Sequence, residues 1–215
     1  VEIYETEEEQ VAALKAWWKE NAQTTLIGLG LGIAVMVGWN YWQDYREAQA
    51  EQASDLYGQL LKSLAADKKD STVKLSGQLD TQFPNSDYAL FGELLAAKVK
   101  ADQGDIAGAK QILEKVSVSS NKELSNIAKI RRVRLLMANK EFEQGLKLIN
   151  EIDPAASASF AGQYDELTGD LYVALDRADQ ARTAYQSALR NGHQSALLQL
   201  KIDDLTAPEK VENNK

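Results

Sequence analysis

Two patterns of apolar and polar positions follow one another along this chain. From Asn21 to Gln43, twenty-three residues pass without a charged side chain. A bilayer core ~30 Å thick takes roughly 20 apolar helical residues to cross, so this run predicts a membrane-spanning helix. Leu26, Ile27, Leu29, Leu31, Ile33, Val35 and Val37 favour insertion by about 2–4 kcal/mol in total. Trp17 and Trp18 stand at one edge of the run, and Trp39 and Trp42, with Tyr41 and Tyr45, at the other. Trp18 and Trp39 lie ~32 Å apart along a helix, which matches the spacing of the two interfaces where such rings anchor. Small residues at Gly28/Gly32 and at Gly30/Ala34/Gly38 would let a second membrane helix approach closely.

Beyond the span the apolar residues return at helical spacing, and they repeat. At a shift of 36 residues Ile106, Phe142 and Ala178 coincide, then Ala109, Gly145 and Ala181, then Leu113, Ile149 and Tyr185, then Val116, Ile152 and Ala188. Steps of 3, 4 and 3 along each set mark one face of an α-helix. A helix precedes each, seen in Tyr88, Phe91, Leu95 and Val99 and again in Ile127, Ile130, Val133 and Leu136, with Gly104-Asp105 as a turn. Each unit is thus a helical hairpin, and paired helices at a period near 34 are the mark of tetratricopeptide repeats. Gly169, Tyr172, Ala181, Tyr185 and Ala188 carry it best. Lys100 and Leu136 replace Tyr172 in the other units, and the closing proline is absent. Residues 44–66 and 72–83 read as a divergent first hairpin. Gln194 to Leu205 reads as a cap, which a stacked array needs at its open end.

The expected fold is therefore all-α: a segment at 1–20, a membrane helix at 21–43, a tetratricopeptide-like solenoid with a capping helix over 44–205, and a disordered tail at 206–215. Glu5–Glu9 reads as a flexible acidic tail. Ala48-Gln49-Ala50 imitates a signal-peptidase site, but the acidic head and the long apolar run point to an uncleaved anchor. Lys15 and Lys19 before the span, against Arg46 after it, lean by one charge towards a cytoplasmic amino terminus.

Charge narrows the partners. The whole chain has a net charge of −8. Setting aside the head and span, with Lys15, Lys19 and the glutamates at 2, 5, 7, 8, 9 and 20, residues 44–215 carry −4. That balance argues against a nucleic-acid surface and favours protein partners. With no cysteine and one histidine, thiol catalysis, disulfides and most triads or metal sites are excluded. No catalytic, metal or cofactor residue is assigned. His193, after Asn191-Gly192, reads as a solvated turn residue. Lys129, Arg131, Arg132 and Arg134 read as a solvated face with acidic neighbours across the repeat, or as groove residues. Because the first helices of each hairpin form the inner wall of such arrays, Phe91, Lys98, Arg134, Glu166 and Asp170 are the candidate groove contacts. An enzyme would have to work with carboxylates such as Asp165, Glu166 and Asp170.

The head, Glu2-Ile3-Tyr4-Glu5 with Glu8-Glu9-Gln10-Val11, then Leu14-Lys15 and Trp17-Trp18-Lys19-Glu20-Asn21, and the span with Trp39-Asn40-Tyr41-Trp42, resemble the YfgM family of ancillary SecYEG translocon subunits. The resemblance implies a bacterial inner-membrane protein with a cytoplasmic amino terminus, a periplasmic repeat domain and no enzymatic activity. It further implies association with SecYEG and the periplasmic chaperone PpiD, the handing on of newly translocated envelope proteins, and a cytoplasmic link to the Rcs response regulator. A second reading keeps the scaffold but assigns it to another cell-envelope assembly complex.

Overall fold

The computed structural model describes residues 7–84 and 86–205. The chain divides between Gln52 and Ala53 into two compact units. Helix α1 (Glu7–Ala65) supplies the first unit and the opening helix of the second. It starts at Glu7, so Glu7–Glu9 are helical where a flexible tail was expected; acidic groups in a first turn oppose the positive end of the helix dipole. The remainder of that expectation, and the tail at 206–215, lie outside the described residues. Ala48-Gln49-Ala50 is continuous helix within α1.

In the first unit the apolar window of α1 has none of its residues buried, and α1 is long and apolar enough to cross a membrane. Trp17 and Trp18 rings lie 6.3 Å apart and those of Trp39 and Trp42 5.3 Å apart. The Arg46 guanidinium sits 4.8 Å over the Trp42 ring, a cation–π contact suited to an interface.

Packing in the second unit begins at Ala53, which is fully buried. The helices are α1 from there to Ala65, α2 (Lys69–Gln82), α3 (Asp87–Asp102), α4 (Ile106–Ser117), α5 (Lys122–Ala138), α6 (Phe142–Asn150), α7 (Ala161–Ala174), α8 (Ala178–Arg190) and α9 (Ala196–Asp204), with a 3-10 turn at Ala158–Phe160 before α7. From α2 onwards successive helices pack on each other, and α5 also touches α3 and α7. First helices of neighbouring hairpins therefore line up side by side, as an inner wall requires.

The core is a series of local clusters. Ala53, Leu60, Leu79, Phe83 and Ala89 form the first. Leu94, Ala97, Leu113, Val116, Leu124 and Ala128 form the next. Ile130, Val133, Leu146, Tyr164, Leu167 and Leu171 follow, and Ala181, Tyr185, Ala188 and Leu198 close the array. The first three clusters join adjacent hairpins and the fourth joins the last hairpin to α9, which makes stability a sum of neighbour terms.

The 36-residue register shows in the backbone. Gly104, Lys140 and Asp176 have φ of 82°, 61° and 57°, so the last three hairpins turn through the same left-handed residue. Only the first of them is glycine, the residue that takes this conformation without a Cβ penalty. Where the helices cross, Ala109 and Ala181 are fully buried. A Cβ on Gly145 would come within 2.8 Å of Leu171. One helix is shorter than its periodicity suggests: α6 ends at Asn150, before Ile152. Asp153 precedes Pro154, and a residue before proline is steered away from helical conformation.

Candidate functional site

An open cleft lies between α3 and α5. Its cavity of about 340 Å³ has an apolar floor of Ala97 and Ala101 from α3, Leu113 from α4 and Leu135 from α5. Lys98, Arg131 and Arg134 stand around that floor. Helical spacing explains the convergence. Arg131 and Arg134 are three apart on α5, and Lys98 lies on the neighbouring first helix at the position one period before Arg134.

Among the described residues no acid pairs with these three cations. Lys98 and Arg134 are exposed. Arg131 is half-buried and donates from Nη1 to the Leu94 carbonyl oxygen at 3.0 Å, which fixes its guanidinium across the two hairpins. Burial, and then the neighbouring Arg134 charge, push the Arg131 guanidinium below the usual arginine value. Arg132 behaves differently, reaching Glu114 at 3.3 Å. Within the basic cluster, Arg132 is a half-buried, acid-paired residue, Arg131 and Arg134 line the cleft, and Lys129 does not.

The other groove candidates lie elsewhere. Phe91 is 39% exposed, with its ring 6.1 Å from that of Tyr57, and the Tyr57 ring in turn lies tilted against that of Tyr88 at 5.6 Å. Glu166 and Asp170 come together, but beneath α9. Lys201 Nζ donates to Glu166 Oε1 at 2.7 Å and to both Asp170 oxygens at 2.7 and 2.9 Å. Tyr185 Oη donates to Asp170 Oδ1 at 2.8 Å.

His193 is not a free turn residue, since its Nε2 meets Glu166 Oε2 at 2.7 Å. Burial works to raise the Glu166 carboxyl, but Lys201 and His193 outweigh it and hold Glu166 below the usual carboxylate range. Burial likewise opposes the Lys201 charge, and its two carboxylate partners still raise that amine. This cluster fastens the cap.

Similar polar ties join other hairpins about one period apart. Lys115 reaches back one hairpin to Asp80, and it also binds Glu93 of its own hairpin at 2.6 Å. Arg177 binds Glu143 at 2.6 Å. Tyr164 Oη donates to Asn126 Oδ1 at 2.8 Å in the interior. Gly28, Gly32, Ala34 and Gly38 are exposed. A Cβ on any of the three glycines would meet nothing within 4 Å.

An exposed apolar span followed by stacked helical hairpins defines a single-pass membrane protein with a helical-repeat domain. The chain belongs to the tetratricopeptide repeat-like domain family, which matches residues 15–207. Curated relatives named ancillary SecYEG translocon subunit include one from Haemophilus influenzae, 29% identical over 93% of this chain and 97% of its own length. Another, from Escherichia coli, is 25% identical over 96% of this chain and 100% of its own length. The likeness read from the head and span residues is thus confirmed. Among solved structures, MamA from Desulfovibrio magneticus RS-1 superposes with a TM-score of 0.53 at 15% identity, covering 71% of this chain and 82% of its own. That likeness concerns the fold.

Proposed function

We propose that this chain is a non-enzymatic scaffold tethered at the SecYEG translocon, with its repeat domain on the periplasmic face and its inner wall receiving a partner protein. The observation that carries this reading is the match to ancillary translocon subunits over nearly the whole chain, span and repeats together. The finer parts of the proposal are a periplasmic chaperone of the PpiD type as neighbour, newly translocated envelope proteins as clients, and a contact with the Rcs regulator through the cytoplasmic head. The one-charge excess of Lys15 and Lys19 over Arg46 supports the orientation.

Co-purification of a tagged, functional chain from mild detergent tests the assembly. SecY and PpiD are expected in the eluate, and their absence would remove the translocon from the proposal. Alkaline phosphatase fused after Leu205 tests the topology. Activity is expected, and an inactive fusion of normal abundance overturns the periplasmic placement.

A further inference from the structure

We infer that the outer face of α9 pairs with the same face of a second copy of this chain, the two helices lying antiparallel. Each of α3, α5 and α7 has a second helix packed against it, α4, α6 and α8 in turn. α9 starts as a first helix does. Ser195 Oγ accepts from the Leu198 N–H at 3.0 Å, as Asn121 Oδ1 accepts from the Leu124 N–H at 3.1 Å to open α5, and Leu198 and Leu124 are both buried. Among the described residues, however, no second helix follows α9. Leu197 and Leu200 stand 60% and 63% exposed. Residues 206–215 carry one large apolar side chain, Val211, and a proline, Pro208, so they lack the apolar spacing of a second helix.

The face is complementary to itself. Leu197, Leu200 and Asp204 follow at steps of 3 and 4, which sets them on one side of α9. Asp204 lies in the last turn, where a carboxylate opposes the negative end of its own helix dipole. Turned end for end, a second α9 lays its leucines on Leu197 and Leu200, and each Asp204 then meets the positive end of the other helix. The chain entering that end carries Arg190, which is exposed and donates to the Ser187 hydroxyl at 2.7 Å. A two-fold contact requires a surface of this kind. Four leucines make a patch smaller than the ~1,200–2,000 Å² of a standard interface. The apolar span of α1 confines both copies to one bilayer, and confinement raises their effective concentration.

The chain has no cysteine, so a single introduced thiol reports only its own surroundings. Full-length Leu200→Cys, reconstituted in vesicles of phosphatidylethanolamine and phosphatidylglycerol, is oxidised with copper phenanthroline. Disulfide-linked dimer is expected at a level at least about fivefold above that of Val118→Cys, which the same confinement brings together only by chance. Val118 is 81% exposed and caps the far end of α4. Adding Leu197→Glu to Leu200→Cys is expected to lower the yield to the Val118→Cys level. Leu197 is exposed, so the fold is retained, and an unchanged circular dichroism melt verifies it. Chains with Leu197→Cys are expected to link to chains with Asp204→Cys, and links between two Leu197→Cys chains in their place overturn the antiparallel geometry. Equal yields for Leu200→Cys and Val118→Cys, or a yield that Leu197→Glu leaves unchanged, overturn the inference. So does cross-linking of Leu200→Cys in native membranes only to a protein of another size, which would make the face a seat for an unlike partner. The vesicles hold no SecYEG, so the result stands apart from the translocon reading.

Discussion

Replacing Lys201 with Met removes the cation that joins α9 to α7 while keeping most of the side chain's bulk. Lys201, Glu166 and Asp170 side chains are 24%, 18% and 22% exposed, so the site is neither a surface pair nor a dry interior. Exposed pairs contribute about 0.2–1 kcal/mol, and breaking a buried one costs about 3–5 kcal/mol. A loss of about 2 kcal/mol is expected here, because two carboxylates are left facing each other with only His193 and Tyr185 as donors.

In a linear array this loss stays local. Amide hydrogen exchange in α9 should therefore quicken by roughly thirty-fold, while α3 to α5 keep wild-type protection. Lys201→Arg should restore most of it. Unchanged protection of α9 in the Met variant, or a loss spread evenly over the array, would refute the assignment of this cluster as the fastening of the cap.

Acidification should act on the same fastening. Glu166 has a folded value below its ordinary one, so its stabilisation is full at neutral pH and is lost as pH falls through that lowered value. Backbone amide shifts of α9 followed by NMR should report this step, and should show it nearer the usual range in Lys201→Met. Lys140→Gly relieves a left-handed residue with φ 61° and should raise stability by about 1 kcal/mol in thermal melts. Gly169→Ala should lower it by about 1–3 kcal/mol. The new Cβ would lie 2.2 Å from the Tyr185 ring, which Asp170 pins in place. Ile33→Lys places a charge in the span and should reduce membrane recovery on fractionation. Gly28→Leu with Gly32→Leu should leave recovery intact and weaken only partner retention in detergent.

The repeat architecture was legible because it rests on periodicity. Ala109, Gly145 and Ala181 mark the crossings wherever the hairpins sit, and Gly104-Asp105 gives the first turn by residue type alone. Lys140 hides the same turn, because lysine does not signal a positive φ, and Asp176 signals it only weakly beside glycine. The cap also showed, since Leu198 and Ile202 follow helical spacing. Lys98 and Arg134 could be paired in advance by counting one period.

The fate of Glu166 and Asp170 could not be counted out. It depends on Lys201, in a helix outside the repeat register. His193 misled for a related reason: Asn191-Gly192 predicts a turn, but not which carboxylate the turn delivers the ring to. Arg131 stood within the basic cluster, yet its bond to Leu94 depends on how far α5 is rotated against α3.

Repeat arrays face a hazard of misregistration, because a cap that recognises one hairpin could settle on its neighbour. Here the position occupied by Asp170 is Arg134 one unit earlier and Lys98 two units earlier, and that of Glu166 is Ile130 and Leu94. Lys201 docked early would meet a like charge and an aliphatic side chain in place of two carboxylates. The cap thus carries a key that only the last hairpin accepts. The charge at these two recurring positions thus favours docking of α9 on the last hairpin over its neighbours.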